Sequence, residues 1–116
     1  MLKTQYRMNR SIMGWSNAEF YGDQLRAHPS VAEHRLRDLY KAVEEEEESL
    51  LFVDTAGCGM GEEGEKNESK YNVGEADLMV AIYRKLLAYN VNPRHVAILT
   101  PYSKQVALIK SLLSKG

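Results

Sequence analysis

The chain has 116 residues, of which 44% are apolar and 27% are charged, the composition of a soluble globular protein. No apolar run reaches membrane-spanning length, and polar residues follow Met1, so we expect neither membrane association nor a secretory signal. The single Cys58 cannot form an internal disulfide and argues against a metal cluster, which predicts an intracellular protein of the nucleus or the cytoplasm. The length fits one domain at most and is short for a complete α/β enzyme.

The net charge of −1 hides an uneven distribution of acidic residues. Ten of the 16 Asp and Glu residues lie between Glu44 and Glu68, and the rest of the chain has 14 basic against 6 acidic residues, a balance of +8. This asymmetry predicts a basic body with an acidic surface segment, which suits a polyanionic partner. For the run from Glu44 to Glu48, a solvated linker is the preferred interpretation.

The first cluster with chemical potential is Gln5-Tyr6-Arg7-Met8, directly before a helical pattern. An aromatic ring can stack on a base, an amide can read the edge of that base, and Arg presents a rigid fork of donors to phosphate oxygens. The cluster is therefore a candidate nucleotide-binding turn. On composition alone, ordinary packing at the entry of a helix is the preferred interpretation.

The pattern next predicts a helix over residues 9–21, capped by Asn9 or Ser11 and ended by Gly22-Asp23. Its inward face is expected to carry Ile12, Trp15 and Phe20.

Residues 24–40 predict a loop followed by a short helix. His28 and His34 lie in this segment without a third ligand at suitable spacing. We therefore interpret them as surface or capping residues rather than metal ligands.

Two continuous apolar runs, residues 49–55 and 95–100, predict buried parallel strands. Between them, residues 57–71 are rich in Gly and Glu and predict an acidic flexible loop, of which residues 62–70 are expected to be disordered and dispensable for folding. Helices are predicted over residues 72–89 and from Pro101 onward. This order predicts an α/β fold with parallel strands and flanking helices.

Three positions in this half of the chain suggest specific roles. Asn72 and Glu75 have the spacing of a capping box. Thr100 falls where a parallel strand ends and a helix begins, and free amides there favour an anion such as a nucleic-acid phosphate. Tyr102 beside it can stack or pack, and the alternative for Thr-Pro-Tyr is a plain strand-to-helix turn.

Taken in chain order, these motifs and predicted elements resemble the second RecA-like domain of superfamily 1 helicases, in the branch that includes the nonsense-mediated-decay helicase. The resemblance is carried by Gln5-Tyr6-Arg7-Met8 with Ile12, by Phe52-Val53-Asp54-Thr55, by the spacing S-x-x-N-x-x-E-A from Ser69 to Ala76, and by Thr100-Pro101-Tyr102 with Gln105. Residues 25–39 and 54–59 further resemble the immunoglobulin-mu-binding-protein type of helicase.

The resemblance implies that residues 1–116 form part of a second RecA-like domain of the P-loop NTPase type, in an ATP-dependent helicase that acts on single-stranded DNA or RNA. Arg7 is then the catalytic arginine that reaches the γ-phosphate of ATP, while Tyr6 stacks on adenine beside Gln5. ATP and Mg²⁺ are held mainly by the first RecA-like domain.

For the second half of the chain, the resemblance implies two further sets of contacts. Glu75 either caps its helix or approaches the nucleotide or the strand, and the cap is preferred. Thr100, Tyr102 and Gln105 line the groove that follows a single strand.

The sequence also departs from the family pattern. It contains no Gly-x-x-x-x-Gly-Lys-Ser/Thr motif and no Asp-Glu pair after an apolar strand, so we expect the first RecA-like domain to lie outside this chain. The later Phe-Gln-Gly-type motif and the second phosphate-sensing arginine are absent too. We therefore expect the isolated chain to be inactive. The competing hypothesis is a catalytically silent nucleic-acid or protein-binding module that reuses this half-domain.

Overall fold

The computed structural model describes residues 1–44 and 48–115 and divides the chain into two compact units, Met1–Phe52 and Val53–Gly116. The sequence predicts one domain at most, and the boundary falls inside the segment 49–55 predicted as a single strand. Of the predicted linker at 44–48, residues 45–47 lie outside the described residues.

The first unit is a β-α-β element followed by two one-turn helices. Its elements are β1 (Thr4–Gln5), α1 (Arg10–Tyr21), β2 (Arg26–Ala27), α2 (Pro29–Ala32) and α3 (Leu36–Leu39). β1 and β2 pair in parallel, with Thr4 opposite Arg26 and Gln5 opposite Ala27. The predicted combination of parallel strands and flanking helices is therefore confirmed, although this pair lies in a part of the chain where no strand was predicted.

α1 has the ends that the sequence predicts. The Asn9 side chain accepts a hydrogen bond from the Ser11 amide at 2.7 Å, which caps the helix. Gly22 ends it in the left-handed region, with φ 55° and ψ 34°.

The inward face of α1 differs from the predicted one. The three residues expected to point inward are exposed: Ile12 (42%), Trp15 (65%) and Phe20 (69%). Met13 and Asn17 are buried instead. The Asn17 amide donates to the Leu25 carbonyl at 3.0 Å and accepts from the Leu25 amide at 2.8 Å, so the chain that leads into β2 packs on the Asn17 side.

The second unit is built on two packed helices, α4 (Val73–Ala88) and α5 (Ser103–Ser114), with a 3₁₀ turn at Pro93–His95 between them. Both helices agree with the prediction. Their core consists of Ala76, Val80 and Ile109, with Ile98, Leu108, Leu112 and Leu113 packed around it. Three apolar residues of these helices, Met79, Leu87 and Val106, are exposed.

The two predicted strands are wrong as strands, because β1 and β2 are the only strands among the described residues and neither 49–55 nor 95–100 is part of them. A buried parallel strand requires backbone partners beside it and helices over its faces. These segments have no such ladder within the described residues, and several of their apolar side chains are open, with Phe52 87% and Leu99 90% exposed, although Ile98 packs against the core of the second unit. Much of each apolar run is therefore uncovered among the described residues.

The acidic loop follows a hydrogen-bonded path. The Glu63 amide donates to the Tyr71 carbonyl at 2.7 Å, and the Tyr71 amide donates back at 3.0 Å, which closes the loop as an antiparallel bridge. Gly64 has φ 122°, and a Cβ there would lie 2.9 Å from the Ser69 carbonyl oxygen, so the turn requires glycine. The flexibility of this loop stays a prediction. No helix in the described ranges is long and apolar enough to span a membrane.

Candidate functional site

Each unit contains one cluster of the predicted site residues. In the first unit, the nucleotide turn (residues 5–8) leaves β1 and leads into α1. The Gln5 side-chain oxygen accepts from the Arg7 and Met8 amides at 2.8 and 2.7 Å, and its nitrogen donates to the Met8 carbonyl at 2.7 Å. The Gln5 amide thus shapes its own turn, and the base-reading role predicted for it does not fit this arrangement.

Because Gln5 secures the backbone, the next two side chains point outward. Tyr6 is 66% exposed, and Arg7 is exposed as well. Within the described residues, the Arg7 guanidinium has no hydrogen bond or ion pair. Both residues line a surface depression of about 480 Å³ together with Gln5 and Met8. Among the described residues, the turn therefore presents an unpaired guanidinium beside an exposed aromatic ring, and such groups can contact a phosphate and a base.

One partner of the nucleotide turn was not foreseen. The His28 ring stacks on the Tyr6 ring, with 4.4 Å between centroids and 28° between planes. The His28 amide donates to the Gln5 carbonyl at 2.9 Å, and its Nδ1 accepts from the Ser30 amide at 3.1 Å. The interpretation of His28 as a capping residue is confirmed. Its stacking could be anticipated only from the parallel pairing of β1 with β2, which the sequence did not indicate.

The second unit contains a cavity of about 370 Å³, called the rim cavity below, at the turn Thr100-Pro101-Tyr102 before α5. Four residues predicted for nucleotide or nucleic-acid contact line it: Glu75, Thr100, Tyr102 and Gln105. The structure thus brings these four residues together, although their predicted individual roles do not all fit.

Gln105 is a clamp on the backbone of Asn72. It is 8% exposed, its side-chain oxygen accepts from the Asn72 amide at 2.9 Å, and its nitrogen donates to the Asn72 carbonyl at 3.1 Å. Both ends of the amide are therefore used inside the protein, and the groove contact predicted for Gln105 is not compatible with this position.

Glu75 does not cap α4, contrary to the preferred prediction. The Asn72 side chain caps α4 by accepting from the Glu75 amide at 2.9 Å. In a capping box, Glu75 would accept the Asn72 backbone N–H, but Gln105 already occupies that donor. The Glu75 carboxylate instead accepts from the Thr55 hydroxyl at 2.7 Å. Its predicted approach to the nucleotide stays a prediction.

The amino terminus of α5 is capped by Ser69, from the end of the acidic loop. The Ser69 hydroxyl oxygen accepts from the Lys104 amide at 3.1 Å. The Lys104 ammonium donates to the Glu68 carboxylate at 2.6 Å. This hydrogen bond, and then the charge of Lys104, lowers the pKa of Glu68 from its ordinary value. The sequence analysis singled out Ser69 and Asn72 through their spacing. That spacing did not show that Ser69 caps a different helix, α5.

Thr100 and Tyr102 stay available at the rim cavity. Tyr102 is 44% exposed, and Thr100 is half-buried. The Thr100 hydroxyl accepts from the Tyr102 amide at 3.4 Å, a long contact that leaves it free to reorient. These two side chains can offer a hydroxyl and an aromatic face to a single strand.

The chain is similar to known proteins along its whole length. A family model described as an AAA domain, AAA_12, matches residues 1–116. The chain is 44% identical over 117 residues to the DNA-binding protein SMUBP-2 of Rattus norvegicus, covering 98% of this chain and 12% of that protein. It is 32% identical to an uncharacterized ATP-dependent helicase of Methanocaldococcus jannaschii, over 99% of this chain and 18% of that protein. It is 31% identical to the DNA polymerase alpha-associated DNA helicase A of Saccharomyces cerevisiae, over 97% of this chain and 18% of that protein. The chain thus spans less than a fifth of each relative.

Proposed function

This chain belongs to the AAA_12 family of AAA domains, and from that premise we propose that it is part of the second RecA-like domain of a superfamily 1 ATP-dependent helicase. Two relatives that align over nearly the whole chain are named as helicases and a third as a DNA-binding protein. The helicase would couple ATP hydrolysis to movement along single-stranded DNA or RNA.

The observation that carries the proposal is the geometry of the nucleotide turn. Gln5 uses its amide on the backbone, so Arg7 is held outward with a guanidinium that has no partner among the described residues. A positioned guanidinium stabilises the charge that develops on a phosphoryl group during transfer. We assign this role to Arg7, and adenine stacking to Tyr6, which is 66% exposed.

The residues present fit ATP as the bound nucleotide, with separate roles for its two ends. ATP, with Mg²⁺, supplies the phosphoryl group that is transferred to water. This chain contributes the aromatic contact and the arginine. Within the described residues, no group of three His, Cys, Asp or Glu side chains could hold a metal ion, and we place Mg²⁺ with the first RecA-like domain.

For the nucleic acid, we assign the rim cavity, with Thr100 as a phosphate contact and Tyr102 as a stacking surface. The exposure of Tyr102 and the weakly engaged Thr100 hydroxyl support this assignment. Gln105 is reassigned from contact to support, because its amide is used by Asn72.

The test is replacement of Arg7 in the helicase that contains this chain. Arg7→Ala should reduce the kcat of nucleic-acid-stimulated ATP hydrolysis by on the order of 10³-fold, with a smaller effect on nucleotide binding. Arg10→Ala is the matched control, because Arg10 is an exposed arginine that pairs with Glu33 at 3.0 Å on the same unit. Its turnover should equal that of the unmodified protein.

Unchanged turnover in Arg7→Ala would remove Arg7 from the mechanism. The competing function, a catalytically silent binding module, would be favoured instead if the unmodified protein that contains this chain hydrolysed no ATP. Equal losses in Arg7→Ala and Arg10→Ala would indicate a general dependence on surface charge instead of a phosphate contact.

A further inference from the structure

We infer that His28 is a positioning residue for the nucleotide site, holding the Tyr6 ring so that its other face receives the base; this rests on the proposed function of Tyr6. The His28 and Tyr6 rings stack at 4.4 Å with planes 28° apart, which covers one face of Tyr6. Tyr6 is still 66% exposed, so the other face is open to a base.

His28 is itself fixed from two directions, which makes it a firm support. Its amide donates to the Gln5 carbonyl at 2.9 Å, next to Tyr6 in the chain. Its Nδ1 lies 3.1 Å from the Ser30 amide and 2.7 Å from the Ser30 hydroxyl, at the start of α2. The imidazole therefore cannot turn away from Tyr6 without losing the cap of α2. An exposed tyrosine without such a support must be ordered when the base binds, which weakens binding.

The two roles of His28 can be separated by substitution. His28→Phe keeps an aromatic ring for stacking but removes the acceptor that caps α2. His28→Asn keeps an acceptor well suited to the cap but removes the ring. If His28 acts through Tyr6, the affinity for ATP should be kept in His28→Phe, which retains the ring, and reduced in His28→Asn, which retains only the cap.

The experiment measures kcat and KM for ATP in the helicase that contains this chain. His28→Asn should raise KM for ATP by about threefold to tenfold, the range of one aromatic pair, with kcat changed by less than twofold. His28→Phe should keep KM close to that of the unmodified protein. His34→Ala is the control for loss of an exposed histidine in the same unit.

A double-mutant cycle measures the coupling between Tyr6 and His28 in their effects on KM for ATP. Tyr6→Ala should raise KM more than His28→Asn does, and adding His28→Asn to Tyr6→Ala should then have little further effect. If Tyr6→Ala raises KM while His28→Asn leaves it unchanged, the positioning role is wrong and the nucleotide site stands. If Tyr6→Ala itself has no effect, the proposed role of Tyr6 fails first. A lower KM in His28→Asn would mean that the imidazole blocks the base.

Discussion

The two units use a glutamine side chain in contrasting ways. In the first, Gln5 bonds to the backbone of residues 7 and 8, within its own turn. In the second, Gln105 bonds to the backbone of Asn72, 33 residues away, and is 8% exposed. Both glutamines were predicted to contact ligands, and both are occupied by main-chain groups.

The difference in range decides what each glutamine does. A local clamp fixes the shape of one turn, so Gln5 controls how Tyr6 and Arg7 are presented. A buried long-range clamp joins two elements, so Gln105 fixes the start of α4 against α5. Losing the first should therefore impair the nucleotide turn, and losing the second should impair the stability of the second unit.

The largest expected effect on stability comes from Gln105→Ala. The substitution leaves the Asn72 N–H and C=O without their partner in a half-buried position, which should lower the free energy of unfolding by about 2 kcal/mol. Gln5→Ala should cost about 1 kcal/mol or less, because water can reach the amides of its exposed turn. Far-UV circular dichroism follows the helices of both units, including α4 and α5, whereas the fluorescence of Trp15, the single tryptophan, reports on the first unit alone.

In this comparison, Gln105→Ala should shift the helix transition and leave the Trp15 transition nearly unchanged. Gln5→Ala should show the reverse order of sensitivity. Gln105→Glu is a matched variant, since it keeps an oxygen acceptor for the Asn72 amide but brings a carboxylate towards the Asn72 carbonyl. If Gln105→Ala and Gln5→Ala have equal effects on both signals, the distinction between a local and a long-range clamp does not hold.

The same distinction explains what the sequence could predict. The caps by Asn9 and Asn72 involve neighbours two and three residues away, and the helices α1, α4 and α5 follow from short-range patterns. Contacts between distant residues were missed: Tyr6 with His28, Gln105 with Asn72, and Ser69 with Lys104. Spacing along the chain does not specify which distant group will accept a hydrogen bond.

The strand predictions failed for a related reason. The apolar runs at 49–55 and 95–100 have the composition of buried strands, but composition does not supply a neighbouring strand. In the first unit, the pair β1 and β2 is only two residues long on each side, too short for a periodic signal. The inward face of α1 was also misjudged, because the buried polar Asn17, which binds the Leu25 backbone, outweighs the apolar stripe.

Thr100 tests the rim cavity without disturbing the Gln105 clamp. Thr100→Ala should weaken binding of single-stranded nucleic acid to this chain by about 1 kcal/mol, the contribution of one modest hydrogen bond. Fluorescence anisotropy with a labelled oligonucleotide at low salt measures this, and affinity should fall further as salt rises. Thr100→Ser retains the hydroxyl and should bind like the unmodified chain. If the affinity for the oligonucleotide changes neither with salt nor with Thr100→Ala, the rim cavity is excluded as the binding site.

Ser69 provides the next test, because this residue of the acidic loop caps α5, which begins more than 30 residues later in the chain. The sequence predicts that residues 62–70 can be replaced by a Gly/Ser linker with little loss of stability. The structure indicates a loss of about 1 kcal/mol, since the α5 cap is removed with Ser69. Ser69→Ala should reproduce that loss, and a linker that retains serine at this position should largely avoid it. Thermal unfolding of the three variants gives the comparison, and equal midpoints would show that the cap is dispensable.

The smallest effect concerns the ion pair next to that cap. The hydrogen bond from Lys104, and then its charge, lowers the pKa of Glu68 in the folded chain from its ordinary value. The pair therefore stabilises the fold fully at pH values well above the ordinary pKa of a glutamate, where Glu68 is ionised in both states, and this stabilisation is lost as the pH falls through the lowered pKa. Glu68→Gln should reduce the melting temperature slightly at neutral pH and at low salt, and the difference should vanish in acid. Glu65→Gln is the matched control, an exposed glutamate of the same loop whose side chain makes no ion pair within the described residues. If the two variants have the same pH profile, the ion pair between Lys104 and Glu68 does not contribute to the stability of the fold, and the hydrogen bonds of Ser69 hold this part of the loop to α5 without it.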